Sequence, residues 1–450
     1  MSFRSSLAIL AGKSSRWFLH NFMHGGTSLP GELTLKIDPN VLQTLAKDYE
    51  IIVITGTNGK TLTTALTVKV LESKFGHVLT NKSGSNMKQG IVTAFLSDKV
   101  SEKSGKKLAV LETDEANVPI ICRYVSPSIF VLTNLFRDQM DRYGEIYTTY
   151  DKILTGIRMH PDALVIANGD APIFNSKELK NKVVYYGFAD KEEEDQKAPA
   201  NTDGLLCPHC HHILHFKYRT YSNLGKYFCP ECGFKRPELT YSLNQISSQS
   251  PQSSVFEIDG AKVELHIGGT YNIYNALAAY SVGRALGLSG DESARALSDN
   301  DEKVFGRQEV INIDDKQTTL ILVKNPVGLD QVLEMISTDK EPFSLAVLLN
   351  ANYADGIDTS WIWDGNFEGL PFDRIPSVLT GGERYKDITF RLQVAGVPEK
   401  NFSQREKLED VVSFIKQMPT NHVYVLATYT AVLQLRKFLS EQGYIKGGMD

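Results

Sequence analysis

The chain has 450 residues, of which 42% are hydrophobic and 22% charged, and its formal net charge is −5 at pH 7. This length predicts two or three domains, and the composition is typical of a globular protein. The negative charge disfavours general affinity for nucleic-acid phosphates. No run of about 18 apolar residues predicts a transmembrane helix, and no cleavage site follows the first apolar residues, which disfavours a secretory signal. We therefore expect a cytoplasmic protein.

The N-terminal segment, residues 1–45, is predicted to be amphipathic. Apolar side chains recur at helical spacing among basic residues, and no acidic residue precedes Glu32. The apolar residues are Phe3, Leu7, Leu10, Trp17 and Phe22. This pattern fits a helix lying on a membrane surface, and it also fits a helix packed against its own domain. We expect the packed helix and leave membrane contact open.

A glycine-rich turn follows the apolar run at residues 51–55. An apolar β-branched run, a glycine-rich turn ending in Lys-Thr and a helix-favouring stretch are typical of a strand–loop–helix unit that binds phosphate. Lys60 would place a positive charge on the outer phosphates, and the Thr61 hydroxyl would bind magnesium. Ile54 stands where the common pattern has its first glycine. The predicted nucleotide-binding residues of the turn are Gly56, Thr57, Asn58, Gly59, Lys60 and Thr61.

Strand-like and helix-like stretches alternate along the chain, which predicts an α/β fold with a mostly parallel sheet. The predicted strands are 51–55, 108–112, 129–133, 164–167 and 183–186. The polar and charged character of residues 190–250 indicates an insertion, and residues 255–267 are typical of a hairpin that turns at an Asp-Gly pair. We place an ATP-binding domain at 46–305 and a second α/β domain at 306–450.

Four of the five cysteines form two C-x-x-C pairs, which are separated by 18 residues. They are Cys207, Cys210, Cys229 and Cys232. This spacing is typical of a zinc ribbon, in which four thiolates fill a tetrahedral sphere and leave no position for water or substrate. We therefore predict a structural zinc ion in an insertion at about 198–240. Because zinc ribbons also occur in nucleic-acid binders, a P-loop protein that binds nucleic acid is one alternative, which the acidic run before the first pair disfavours.

Five separated segments resemble the Mur ligase superfamily, the ATP-dependent amide-forming enzymes of peptidoglycan and folate metabolism. The segments are 55–61 (TGTNGKT), which resembles a shortened P-loop, 108–112, which ends in Glu112, 133–141 (TNLFRDQMD), 269–279 (GTYNIYNALAA) and 305–307 (FGR). The resemblance covers roughly residues 50 to 440. It implies a Mur ligase-type central domain with an inserted four-cysteine zinc ribbon, followed by a Rossmann-like α/β domain.

The resemblance implies that ATP and magnesium are used to form an acyl phosphate from a substrate carboxylate. Phosphoryl transfer needs positive charge around the moving oxygens, and magnesium would be held by Thr61 and Glu112. The residues expected to contact the nucleotide, besides the P-loop, are Asn272, Asn275, Arg307 and Lys324. The residues expected to act in catalysis are Lys60, Glu112, Arg307 and Asp355.

Three departures from the superfamily pattern narrow the expected function. Only about 50 residues precede the P-loop, which is too few for the domain that holds a UDP-linked substrate in peptidoglycan ligases. Gln139 replaces a magnesium-binding histidine, and the zinc ribbon is foreign to members that add amino acids. With the segment 349–364, these departures make the chain resemble the ATP-using subunit of lipid II isoglutaminyl synthase. That enzyme amidates the α-carboxylate of D-glutamate in the stem peptide, and we expect it to act at the inner face of the cell membrane.

A separate glutaminase is expected because the chain offers no activated thiol of its own. Outside the C-x-x-C pairs only Cys122 remains, without the glycine-flanked turn of a nucleophile, and we expect a buried core thiol. The resemblance implies a GatD-type glutaminase as partner in a heterodimer. Asp355, in an exposed Asp-Gly turn, would orient the partner's catalytic histidine, or would instead cap the helix near Thr359. A free-standing amino-acid ligase of the Mur or folylpolyglutamate synthase type is the other alternative.

Overall fold

The chain divides into two structural units. The computed structural model describes residues 2–22, 28–81, 85–98, 107–137, 146–189, 196–197, 206–299 and 308–445. Unit 1 comprises residues 1–247, 255–265 and 272–300, and unit 2 comprises residues 248–254, 266–271 and 301–450. The domain boundary predicted near residue 305 falls in the stretch 300–307, which lies outside the described residues.

Helices and strands alternate through most of the described residues. The helices are α1 (Phe3–Phe22), α2 (Leu29–Ile37), α3 (Val41–Ala46), α4 (Lys60–Phe75), α5 (Lys88–Ser97), α6 (Val118–Ile121), α7 (Ile146–Ile157), α8 (Thr270–Ala285), α9 (Gly290–Ser298), α10 (Pro326–Ser337), α11 (Tyr385–Val394), α12 (Leu408–Ile415) and α13 (Tyr429–Glu441). The strands are β1 (Tyr49–Thr55), β2 (Val78–Thr80), β3 (Lys107–Glu112), β4 (Pro127–Leu132), β5 (Leu164–Asn168), β6 (Val183–Phe188), β7 (Gln196–Lys197), β8 (His215–Tyr221), β9 (Leu224–Phe228), β10 (Tyr241–Ser250), β11 (Ser253–Ile258), β12 (Ala261–Leu265), β13 (Glu309–Ile313), β14 (Lys316–Leu322), β15 (Phe343–Leu348), β16 (Val378–Gly381), β17 (Phe402–Arg405) and β18 (His422–Ala427).

The main sheet, as far as the described residues show it, has the strand order β12-β11-β10-β6-β5-β4-β1-β3-β2. Strand β1 lies between β3 and β4 and is parallel to both. Its residues Ile51 to Ile54 are at most 1% exposed, as expected for a parallel strand that is covered on both faces. The predicted α/β fold with a mostly parallel sheet is confirmed.

The predicted strands correspond to β1, β3, β4, β5 and β6, with ends that agree within two residues. The predicted hairpin is formed by β11 and β12, and its turn residues Asp259 and Gly260 have φ angles of 49° and 86°. Positive φ at both positions is the mark of the type I′ turn that hairpins favour. The sequence analysis missed β2, which has three residues, and β10, whose run of serines and amides resembles a loop.

Helix α1 packs against unit 1 through its small residues. The Ser5 hydroxyl donates to Asp38 Oδ2 at 2.7 Å, and Ala8 is fully buried. A Cβ atom on Gly12 would lie 2.1 Å from Thr34 Oγ1 of α2, so only glycine permits this approach. The expected packed helix is therefore observed on this face. In the part of the chain that the structure describes, no helix is long and apolar enough to span a membrane.

The insertion forms a small antiparallel sheet, β7-β8-β9, that is anchored on the main sheet through Asp170. The Asp170 carboxylate is fully buried and accepts from Arg236 Nη1 (2.8 Å), the Tyr274 hydroxyl (2.6 Å) and the Phe188 N–H (2.8 Å). The Asp170 carbonyl also accepts from the N–H of Gly225 in β9 (3.0 Å). A buried carboxylate needs this many donors because burial removes its hydration.

Unit 2 contains a second sheet with the order β13-β14-β18-β15-β16-β17, which is parallel except for the β13–β14 pair. Apolar clusters cover its two faces. The guanidinium of Arg391, which is 3% exposed, donates to the carbonyls of Ile362 (3.1 Å) and Gly365 (2.6 Å) and to both carboxylate oxygens of Glu368. These hydrogen bonds connect residues 362–368, in the segment after β15, to α11.

Candidate active site

The glycine-rich turn connects the buried end of β1 to α4, which begins at Lys60. Gly56 and Gly59 have φ angles of 137° and 81°, in the region that favours glycine. A Cβ atom on Gly56 would lie 2.2 Å from Thr133 Oγ1, and one on Gly59 would lie 2.1 Å from Asn275 Oδ1. Both positions therefore require glycine. The resulting bare backbone lies at the N-terminus of a 16-residue helix, where an anion is stabilised.

The segment after β4 holds this turn in place. The Asn58 N–H donates to Asn134 Oδ1 (2.9 Å), and Asn134 Nδ2 donates back to the Asn58 carbonyl (3.0 Å). The Thr57 N–H donates to the Asn134 carbonyl (2.8 Å), and the Thr57 hydroxyl accepts from the Phe136 N–H (3.1 Å). The turn is thus fixed by the protein itself. The sequence analysis included Asn134 in a segment of resemblance but gave it no role, although a polar residue directly after a buried strand was the available signal.

Lys60 is held inside the turn by opposite charge and by a carbonyl. Its Nζ donates to the Gly56 carbonyl (2.5 Å) and lies 3.3 Å from Glu115 Oε2. The side chains of Lys60 and Glu115 are only 11% and 8% exposed, so solvent screens their attraction weakly. The sequence analysis missed Glu115, whose position three residues after Glu112 was the only local sign. The turn therefore presents an ammonium and a carboxylate side by side.

The two predicted magnesium ligands lie near the ends of adjacent elements. Glu112 is the last residue of β3, pairs in register with Ile54 of β1 and is 3% exposed. Its backbone is fixed by Asn81, which accepts from the Glu112 N–H (2.9 Å) and donates to the Glu112 carbonyl (3.0 Å). Thr61 is the second residue of α4. A carboxylate and a hydroxyl suit magnesium, which prefers oxygen ligands.

Asn272 and Asn275 lie on α8 and are buried beside the turn. Asn275 Oδ1 accepts from the Thr63 hydroxyl of α4 (3.1 Å), and Asn275 Nδ2 donates to Asn272 Oδ1 (3.2 Å). Together with the close approach to Gly59, these bonds show that Asn275 supports the turn from α8. Contact of either asparagine with adenine stays a prediction.

The remaining predicted nucleotide contacts are Lys324 and Arg307. Lys324 belongs to unit 2 and precedes Asn325, whose Oδ1 caps α10 by accepting from the Gly328 N–H at 2.8 Å. Arg307 and Gln139 lie outside the described residues. The roles assigned to Lys324 and Arg307 therefore stay predictions.

Asp355, in unit 2, is 4% exposed, so the expectation that it lies in an exposed turn is wrong. Thr430 donates to its carboxylate from the N–H (2.7 Å) and from the hydroxyl (2.5 Å), and the Asn352 N–H donates at 3.0 Å. The physical reason is that Thr430 lies in the first turn of α13, whose N–H groups have no acceptor within the helix. Asp358, rather than Asp355, accepts from the Ser360 N–H (2.8 Å) at the start of the next short helix.

The four cysteines of the C-x-x-C pairs meet in one cluster. Their Sγ atoms all lie within 4.8 Å of one another, and the Cys207–Cys232 and Cys210–Cys229 pairs are each separated by 3.5 Å. Four thiolates around a tetrahedral zinc ion at about 2.3 Å would be separated by about 3.8 Å. The donor set and its spacing therefore fit zinc.

Cys122 lies apart from this cluster in the core of unit 1. It is 4% exposed, and burial raises the pKa of its thiol to about 12. Because the thiolate is the nucleophile, Cys122 is unsuited to attack a substrate. The expected buried core thiol is observed.

Two family models match the chain. The MurT ligase C-terminal model matches residues 322–432, and the Mur ligase middle domain model matches residues 54–219. The chain is 50% identical over 450 residues to the lipid II isoglutaminyl synthase (glutamine-hydrolyzing) subunit MurT of Streptococcus pneumoniae, with 100% of both chains covered. The chain belongs to the MurT family.

A second MurT relative agrees with this assignment, and two solved structures show the fold. The MurT subunit of Staphylococcus aureus strain N315 is 35% identical over 397 residues, with 87% of both chains covered. A pseudomurein peptide ligase type C from Methanothermus fervidus has a TM-score of 0.67 at 19% identity, covering 90% of this chain and 81% of its own. MurF ligase from Thermotoga maritima in complex with ADP has a TM-score of 0.62 at 14% identity, covering 91% and 85%. These structures show that this MurT family member has the Mur ligase-type fold.

Replacing Asn134 by alanine should weaken ADP binding about tenfold or more. The substitution removes both side-chain hydrogen bonds that Asn134 makes to the Asn58 backbone, while the bond from the Thr133 hydroxyl to the Asn58 carbonyl (3.1 Å) remains. Loss of a hydrogen-bond partner by a shielded polar group costs about 1–3 kcal/mol. Isothermal titration calorimetry with ADP and magnesium measures the change.

Asn181→Ala is the matched control, because the Asn181 side chain, like that of Asn134, makes two hydrogen bonds to the backbone. Its acceptors are the carbonyls of His160 (2.8 Å) and Ala163 (2.9 Å). It should lower thermal stability while leaving ADP affinity unchanged. Equal ADP affinity of the Asn134 variant and the unmodified chain would contradict the role of Asn134.

Proposed function

We propose that this chain is the ATP-using subunit of a lipid II isoglutaminyl synthase, which converts the α-carboxylate of D-glutamate in the stem peptide to an amide. The observation that carries the proposal is the full-length 50% identity to the S. pneumoniae subunit of that name. The preformed P-loop supports it, because a carboxylate must be activated before it condenses with ammonia. The reaction would take place at the inner face of the cell membrane.

The chemistry has two balanced steps. The carboxylate oxygen attacks the γ-phosphorus of ATP, and ADP leaves, which produces an acyl phosphate. Ammonia then attacks the acyl carbon and releases phosphate, and a proton is lost as the amide forms. Magnesium, which Thr61 and Glu112 would hold, would neutralise phosphate charge. Lys60 and Arg307 would add positive charge at the transferred oxygens.

The surroundings of Lys60 support this proposal. Its ammonium is held at the turn by the Gly56 carbonyl and by Glu115. An arriving phosphate carries several anionic oxygens, so it can replace Glu115 as the partner of Lys60. The carboxylate of Glu115 then becomes available to the metal.

Ammonia would come from a GatD-type glutaminase subunit. The single thiol outside the cysteine cluster is the buried Cys122, so this chain lacks a nucleophile for glutamine. Unit 2 offers a face for the partner. Its large exposed apolar residues are Tyr353 (74%), Ile357 (64%), Trp363 (47%), Phe390 (58%) and Val394 (56%), and the Trp363 and Phe390 rings lie 5.8 Å apart. A cluster of exposed aromatic side chains is typical of a protein interface.

Asp355 lies in sequence between two of these exposed residues, Tyr353 and Ile357. Its carboxylate accepts three hydrogen bonds, and an ionised carboxylate has about four acceptor positions. One position is thus left for a histidine of the partner, which Asp355 would hold in the tautomer that activates a cysteine. Asp355 is then a positioning residue for glutamine hydrolysis.

The cysteine cluster is proposed to bind one structural zinc ion. All four ligand positions would be filled by Cys207, Cys210, Cys229 and Cys232, so no position remains for a substrate. The zinc would hold the insertion, whose own core is small, on the edge of unit 1.

Lys60→Ala should abolish ATP-dependent amidation. The chain with its glutaminase partner, ATP, magnesium and glutamine should release ADP and form isoglutaminyl lipid II, and the variant should lose at least about a hundredfold in rate because a charge at the transferred phosphoryl group is missing. Coupled ADP release and mass spectrometry of the product measure this.

Lys69→Ala, nine residues further along the same helix, is the control and should keep its rate. Retained turnover in Lys60→Ala would refute the P-loop assignment. Ligation of an amino acid by the chain alone, without a glutaminase, would refute the amidation proposal.

Asp355→Asn should suppress amidation driven by glutamine at least tenfold and spare amidation driven by added ammonium. The amide keeps the shape of the side chain. Only one of its two terminal atoms is a hydrogen-bond acceptor, so it would hold a histidine less well than the carboxylate does. Product formation with each nitrogen source is compared, and Asp358→Asn is the control that should alter neither. An equal loss with both nitrogen sources would place Asp355 in the synthase reaction or in the fold of unit 2.

Removal of zinc should lower the thermal stability before it alters catalysis. A metal-sensitive dye should detect the release of one zinc ion per chain. Calorimetry should show a lower unfolding temperature after chelation, because zinc binding contributes folding free energy. Cys122→Ala should keep its full zinc content. An immediate loss of activity at unchanged stability would contradict the structural role.

A further inference from the structure

Helix α1 has a face that packs on the protein and an opposite face whose large apolar side chains are largely exposed. The packed face carries the small residues Ser5, Ala8 and Gly12. The exposed face carries large apolar residues, namely Phe3 (87% exposed), Leu7 (50%), Leu10 (64%), Trp17 (64%) and Phe18 (52%). At about 3.6 residues per turn these five side chains fall within an arc of about 100°, on the side of the helix opposite the small residues. An apolar stripe, interrupted by Ser14, therefore runs along the outside of a 20-residue helix.

Positive charges border this apolar stripe. Arg4 lies next to one edge of the stripe and Lys13 next to the other, and Arg16 lies further round on the side of Lys13. No residue of α1 is acidic. The guanidinium of Arg4 donates to the Ile37 carbonyl of α2 at 2.5 Å and stays exposed, so its charge is held at the helix edge.

A lipid surface fits this helix better than a protein groove does. Large aromatic and aliphatic residues on one face, flanked by lysine and arginine, are the features of helices that lie in the interface of a bilayer. Tryptophan prefers that depth, and basic residues are attracted to anionic headgroups. The neighbouring helix α2 adds two exposed leucines, Leu29 (43%) and Leu33 (38%).

We propose that α1 docks the protein on the surface of an anionic lipid bilayer, with the apolar stripe in the headgroup boundary and the basic residues on the lipid phosphates. The packed face keeps α1 attached to unit 1, so docking needs no rearrangement of the helix. The inference rests on α1 alone and holds whether or not the proposed amidation is correct. Its consequence is a high local concentration of any lipid-linked substrate.

Vesicle flotation of the full chain tests the proposal. The chain should float with vesicles of phosphatidylcholine and phosphatidylglycerol in equal parts, and at least tenfold less with phosphatidylcholine alone. The double variant Trp17→Ser/Phe18→Ser should lose at least tenfold in binding. Lys13→Gln should lose about fivefold, which is the effect of one basic residue near an anionic surface, and the binding should fall with salt.

Two control variants separate docking from general surface effects. Ile120→Ser alters an apolar residue of unit 1 that is 40% exposed, and Lys47→Gln removes an exposed lysine outside α1; both should bind as the unmodified chain does. Thermal unfolding of every variant should be unchanged, because all the substituted side chains are partly or largely exposed.

A spectroscopic arm follows Trp17 directly. The chain has three tryptophans, so Trp361→Phe/Trp363→Phe leaves Trp17 alone, and its emission should shift to the blue and be quenched by brominated lipid when anionic vesicles are added. Absence of binding, equal binding to neutral vesicles, or an α1-dependent dimer without lipid in sedimentation velocity would overturn the proposal.

Discussion

The candidate site depends on the contact between two backbone segments at the ends of neighbouring parallel strands. The turn after β1 and the segment after β4 lie so close that Gly56 has no room for a Cβ atom. Parallel pairing of β1 with β4 brings both ends to the same edge of the sheet. The short distance lets Asn134 pair with the backbone of Asn58 on both its donor and its acceptor side. The conformation of the turn is thus a property of the sheet.

This rigidity decides how charge is arranged at the turn. Lys60 has little freedom, because the first turn of α4 fixes its backbone and Glu115 attracts its ammonium. Breaking a shielded ion pair leaves an uncompensated charge and is costly. Departure of Lys60 from Glu115 is therefore favourable only when another anion replaces the carboxylate. The pair keeps the lysine at the turn, and under the proposed function this positioning would remove a cost from the binding of a phosphate.

The sequence could predict features that are encoded locally and could not predict those made by distant residues. The buried strands were predictable because β-branched runs bounded by turn residues have few alternatives, and the turn at residues 56–61 carries its own pattern. The positions of Glu115 and Asn134 at the turn depend on the pairing of β1 with β3 and β4. Asp355 shows the same limit, because an Asp-Gly pair is typical of an exposed turn, yet the donor that buries it, Thr430, lies 75 residues away.

We propose that the position of Asp355 serves function as well as stability. Capping a helix needs one acceptor, and Asn, Ser or Thr would serve the first turn of α13 without burying a full charge. Asp355 instead accepts three hydrogen bonds while its sequence neighbours Tyr353 and Ile357 are exposed and apolar. A carboxylate that accepts three hydrogen bonds has a defined direction, which a residue that orients a histidine requires. In this proposal the bonds to Thr430 and Asn352 would support the site, since they hold the carboxylate before a partner is bound.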